Sequence, residues 1–145
     1  MYTALQHLHS YWAYLVVLVV VLATLNALTG AIGKRQYASR DFRISLFALI
    51  CSHLQLLIGL ILFFVSPRIQ WFSGNDIGLI MKNDSLRLYN LEHPLLMIIA
   101  VILITIGYSK HKKKLASAQK FKTLSIFYTL ALIAILAIIP WGAWF

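Results

Sequence analysis

Residues 6–17 read QHLHSYWAYLVV, and from Tyr11 the chain runs on to Ile32 without a charged side chain. At 1.5 Å per residue, positions 10–32 cover about 35 Å, enough to cross a hydrocarbon core of roughly 30 Å. Three further stretches follow, at 44–65, 91–108 and 124–145. Composition decides between a buried core and a bilayer. With 61% apolar and only 12% charged residues, a chain of 145 has too few ionisable groups to cover a soluble globule. The sequence therefore predicts an all-α integral-membrane protein, a single four-helix domain over 1–145. Short inner loops make successive helices antiparallel, an up-down-up-down bundle in which the first and third helices are diagonal. No Lys or Arg precedes the first apolar run, and the run is about twice the length of a signal core, so it is expected to stay in the mature protein. The one cysteine, Cys51, lies inside the second span, which leaves no intrachain disulfide framework.

The net charge of +9 is unevenly placed. Lys34, Arg35, Arg40 and Arg43 fall in the first loop, and Lys110, Lys112, Lys113, Lys114, Lys120 and Lys122 in the third. The second loop carries only Arg68, Lys82 and Arg87, offset by Asp76, Asp84 and Glu92. By the positive-inside rule, both termini and the 66–90 loop are expected outside the cytoplasm, in a multi-pass protein of the inner (plasma) membrane. Trp12, Trp71, Trp141 and Trp144 then all fall toward the outer side, where an indole straddles the interface. Positive charge of this kind sets topology and attracts membrane lipid; it gives no reason to expect nucleic acid.

The histidines are the candidate chemistry. His9 opens the first span and His93, in NLEHPLLM, opens the third, so the topology places both at one depth on diagonal helices. Two imidazoles facing inward suit the axial pair of a b-type haem, with iron as the metal. A structural zinc suits the region less well, because it wants four N or S ligands. His7 is rotated about 200° from His9 on a helix, so only one of them faces the bundle, and His9 is the choice. In the second span Ser52, Gln55 and Gly59 form one small, polar stripe, while His53 points elsewhere and lacks a partner histidine in the fourth span. His53 is kept as a candidate ligand, with a hydrogen-bonded interior or subunit contact as its plainer role. Arg68 and Arg87 are candidate partners for haem propionates, and the long 66–90 loop a candidate cover.

The stretches HSYWA, QLLIG and EHPLLM together resemble one four-helix unit of the haem A synthase family, in which a histidine, a Gln-x-x-x-Gly motif and a second histidine occur in successive helices. The resemblance covers roughly residues 6–100. It implies His9 and His93 as the axial pair of a haem b, with Gln55 and Gly59 lining its pocket. The chain departs from the family in having length for one unit where members carry two, and in placing Ser10 where the arginine after the first histidine stands. What the resemblance implies is haem binding, by a cytochrome b-like unit for electron transfer or haem handling, without the family's full catalytic set. A pseudo-symmetric site would require a homodimer. The rival reading is a non-catalytic accessory or assembly subunit whose Ser52, Gln55 and Gly59 face packs on another membrane subunit. A transporter or channel ranks last, because the spans contain no chain of carboxylates.

Overall fold

The computed structural model describes residues 1–74 and 76–143. The described residues contain helices and turns but no strand. Four helices are long and apolar enough to cross a membrane: Tyr2–Ile32, Ser39–Val65, Asp84–Lys112 and Ser117–Ile138. We label Tyr2–Ile32 α1, Ser39–Val65 α2, the short Ile77–Lys82 and Asp84–Arg87 α3 and α4, His93–Lys112 α5, and Ser117–Ile138 α6. The long helices form a ring in which α1 packs on α2 and α6, and α5 on α6 and α2.

The boundaries depart from the sequence expectation in ways with identifiable causes. Residues 2–9, YTALQHLH, contain no Gly or Pro, so α1 begins at Tyr2 and places His7 and His9 inside the helix. The fourth helix ends at Ile138 instead of continuing to Phe145. Ile139 is extended, Pro140 follows, and a single 3₁₀ turn covers Trp141–Ala143. Trp144 and Phe145 lie outside the described residues. The third span begins at Asp84, where α4 runs through a π-helical turn, Leu88–Glu92, directly into α5.

Pro94 explains that turn. A proline in a continuous helix removes one N–H and crowds the carbonyl four residues earlier, here that of Asn90. The Asn90 carbonyl instead accepts from Trp71 Nε1 at 2.7 Å. Asn90 is thus a buried anchor for the loop after α2. Its Oδ1 accepts from the Gln70 N–H at 2.7 Å, and its Nδ2 donates to the Arg68 and Leu86 carbonyls.

The core is built from small and branched side chains, including Val16, Val20, Ala23, Ala48, Ile104 and Ala131. Such residues let helices approach closely where lipid offers no hydrophobic driving force for packing. Gly30 of α1 lies against the Phe121 ring of α6, so that any Cβ at position 30 would collide with the ring. Across the bundle, the Tyr128 hydroxyl of α6 donates to the Ser45 carbonyl of α2 at 2.8 Å, both groups buried.

The Arg- and Lys-rich end is closed by a clasp that the sequence reading overlooked. Asp41, the only acidic residue of the first loop region, is fully buried. It accepts from both terminal nitrogens of Arg35, at 3.0 and 2.8 Å, from Asn26 Nδ2 at 3.0 Å, and from the Ala38 N–H at 2.8 Å. Bidentate geometry and full satisfaction of the carboxylate are what make a buried charge tolerable. Beside it the Tyr37 hydroxyl lies 2.9 Å from Nε2 of the buried His111. Burial pushes the Tyr37 phenol up to about 12, so it stays protonated beside that nitrogen.

Candidate functional site

At the opposite end the four long helices enclose a cavity of about 210 Å³ whose wall is mostly apolar. α1 contributes His9, Ala13 and Val16; α2 contributes Ser52, Gln55 and Gly59; α5 begins in it with His93 and Met97; Ile135 and Ile139 come from α6 and its end. The i, i+3, i+7 spacing of Ser52, Gln55 and Gly59 puts all three on the face of α2 that meets this space.

The imidazoles of His9 and His93 meet across it, with ring centres 6.2 Å apart and planes inclined at 75°. Each is tied to a different helix. His93 Nδ1 lies 3.2 Å from the Ile138 carbonyl, one of the carbonyls left free at the end of α6, and donates to it. That bond leaves Nε2 as the nitrogen available for another partner. The Gln55 amide donates to the His9 carbonyl at 2.9 Å and lies 3.4 Å from His9 Nε2. Gly59 gives the same ring its space: a Cβ there would stand 3.1 Å from His9 Cε1, a tight contact.

The polar groups of the cavity are incompletely satisfied. Five buried side-chain polar atoms lack a hydrogen-bond partner among the described residues, and three of them, His9 Nδ1, Ser52 Oγ and Gln55 Oε1, belong to residues that line this one cavity. Elsewhere in the long helices Thr24, Thr105 and Ser125 bond back to carbonyls four residues earlier, and Ser52 does not. Unpartnered buried polar atoms are rare in folded proteins, and their clustering marks a space shaped for polar ligand atoms or water.

The remaining sequence candidates fall in different places. His7 is exposed and stacks on Tyr11, with ring centres 6.2 Å apart. His53 lies on the exposed face of α2, bonded through Nδ1 to the Leu49 carbonyl at 2.8 Å, with Nε2 3.4 Å from the Thr105 hydroxyl of α5. It does not line the cavity. Arg68 does, its guanidinium 4.9 Å from the centre of the Tyr89 ring and without a carboxylate partner among the described residues. Arg87 does not: it is spent on Glu92 at 2.7 Å, Asp84 at 2.9 Å and the Met81 carbonyl. Of the two arginines expected at the mouth, only Arg68 is there. No group of three or more His, Cys, Asp or Glu side chains suited to a metal ion occurs among the described residues.

Sequence reasoning missed the Ile138 carbonyl and the Asn90 anchor. The first carries no side-chain signal. The second was signalled by Pro94, which in a continuous helix must leave the Asn90 carbonyl seeking a donor. Comparison with family models, with curated proteins and with solved structures gives no match.

Proposed function

We propose that the chain is a small multi-pass membrane protein that binds one b-type haem between His9 and His93, a cytochrome unit for electron transfer or haem handling. The observation that carries this reading is the pair of imidazoles 6.2 Å apart in an apolar cavity. Two imidazoles bound to one metal at roughly 2 Å per bond hold their ring centres about 6 Å apart, and an iron in a porphyrin needs only these two protein ligands. An ion that draws all its ligands from the protein finds too few here.

When bound, the haem supplies a one-electron redox centre. The chain's own residues position and enclose it. Ile138 orients His93 through Nδ1, the outer-shell support that metal-bound histidines commonly have. Gln55 ties α2 to the His9 carbonyl, and Gly59 leaves room for the His9 ring. Ala13, Val16 and Met97 give compact or pliable walls. Arg68, a cation at the cavity wall held in place by the Asn90 anchor, is suited to a propionate. The same reading makes the bundle up-down-up-down in the plasma membrane, with both termini and this cavity on the non-cytoplasmic side, because ten of the thirteen Lys and Arg residues lie toward the other end.

His53 favours a second reading. An exposed imidazole midway along a spanning helix suits a contact with another membrane subunit or a second copy of the chain. A reduced-minus-oxidised visible spectrum of the purified protein separates the two. Soret and alpha bands, with one haem per chain, support the cytochrome; a colourless, fully helical protein that takes up no added haem contradicts it.

A further inference from the structure

The opposite end of the bundle carries a feature that the haem reading does not use. The turns between α1 and α2 and between α5 and α6 border a cleft lined by Lys34, Arg35, Gln36, Leu115, Ser117 and Lys122. The cations at this end differ in what occupies them. Arg35 is held by Asp41, while Lys110, Lys112 and Lys120 lie over the rings of Phe127, Tyr108 and Tyr37. Lys34 and Lys122 are both exposed and both in the cleft wall, and their side chains have no ion-pair, hydrogen-bond or ring partner among the described residues.

Lys34 also sits in an unfavourable conformation. The Arg35 N–H bonds to the Gly30 carbonyl at 3.1 Å and the Lys34 N–H to the Ala31 carbonyl at 3.4 Å, the pattern that places Lys34 at the left-handed position closing α1. It takes φ 48, while Gly33, which would adopt that conformation without penalty, keeps φ −76. Lys34 is therefore held in the cleft wall at a backbone cost. In the same wall stand Leu115, 96% exposed, and the exposed Ala116 and Ala118.

Unpaired cations next to exposed apolar side chains, at the ends of helices that can cross a bilayer, match a ligand that joins an anionic group to hydrocarbon. A free anion would use the lysines and leave the apolar rim without purpose. We propose that this cleft is a binding site for one anionic phospholipid, its phosphate between Lys34 and Lys122 and its first methylenes against Leu115. The site is distinct from a diffuse attraction of basic loops for a charged leaflet, because equally exposed Arg40 and Arg43 at the same end lie outside it.

Native mass spectrometry of the full chain in neutral detergent tests this directly. With dioleoyl phosphatidylglycerol and dioleoyl phosphatidylcholine as probes, the first should give one retained adduct at roughly tenfold or greater excess over the second. Lys34→Gln with Lys122→Gln should bring phosphatidylglycerol to the phosphatidylcholine level, whereas Arg40→Gln with Arg43→Gln, the same loss of charge, should change retention by less than about twofold. Lys34→Arg with Lys122→Arg should keep the adduct, which separates loss of charge from loss of fold. Equal retention of the two lipids, or equal loss in the two glutamine pairs, would overturn the proposal. So would displacement of the adduct by millimolar inorganic phosphate, since that result assigns the cleft to a free anion.

Discussion

At the scale of single residues, close neighbours in sequence have unlike surroundings. His7 and His9 are two positions apart, yet one stacks on Tyr11 at the surface and the other faces His93. Gln55 and His53 are likewise two apart, one bonded to the His9 backbone and the other to its own helix. Gln55→Leu removes the tie between α2 and the His9 carbonyl, a bond worth about 0.5–1.5 kcal/mol. It is expected to lower the affinity for haem several-fold, as read by titration of the apoprotein. His53→Ala should leave both the affinity and a low-spin spectrum unchanged. Loss of haem from the His53 variant alone would mean that the ligand had been misassigned.

At the scale of elements, the irregular segments carry the most information. Asn90→Ala strips a buried anchor of its bonds to Gln70, Arg68 and Leu86 and should destabilise the protein by about 1–3 kcal/mol. Limited proteolysis should show the first cleavage within residues 66–74, because Arg68 and Gln70 lose their side-chain ties to the third span and only the Trp71 bond to the backbone carbonyl at position 90 is left. Lys34→Gly relieves a left-handed lysine and should stabilise by roughly 1 kcal/mol in thermal or denaturant unfolding. No gain there would mean that the turn tolerates a lysine without strain. Helix existence was legible because charge-free apolar runs of 17 or more residues are a strong signal. Helix ends were not. The start of α1 depended on the absence of a breaker before Tyr11, and the end of α6 on Pro140, a weaker cue than the apolar run that continues past it. The meeting of His9 and His93 followed from depth and topology, whereas Gln55 and Gly59 were expected beside them only because the family resemblance implied it. The clasp of Asp41 with Arg35 and Asn26 did not, because its members are scattered over a loop and two helices and resemble ordinary topology charges.

At the scale of the whole molecule, the two ends have different chemistry: a half-enclosed apolar cavity with two histidines at one, and a basic surface knotted around Asp41 at the other. The proposed topology has the second end facing the cytoplasm, as the positive-inside rule expects. A reporter fused after Phe145 should accordingly be active only on the non-cytoplasmic side. Activity in the cytoplasm would invert the arrangement. The central claim, that His9 and His93 hold one iron, is tested most directly by visible spectroscopy of three alanine variants in parallel. The account predicts that His9→Ala and His93→Ala each convert a six-coordinate low-spin haem to a five-coordinate form or empty the site, while His7→Ala keeps the parent spectrum. A low-spin spectrum that survives loss of either His9 or His93, or that is lost equally in the His7 variant, would contradict it.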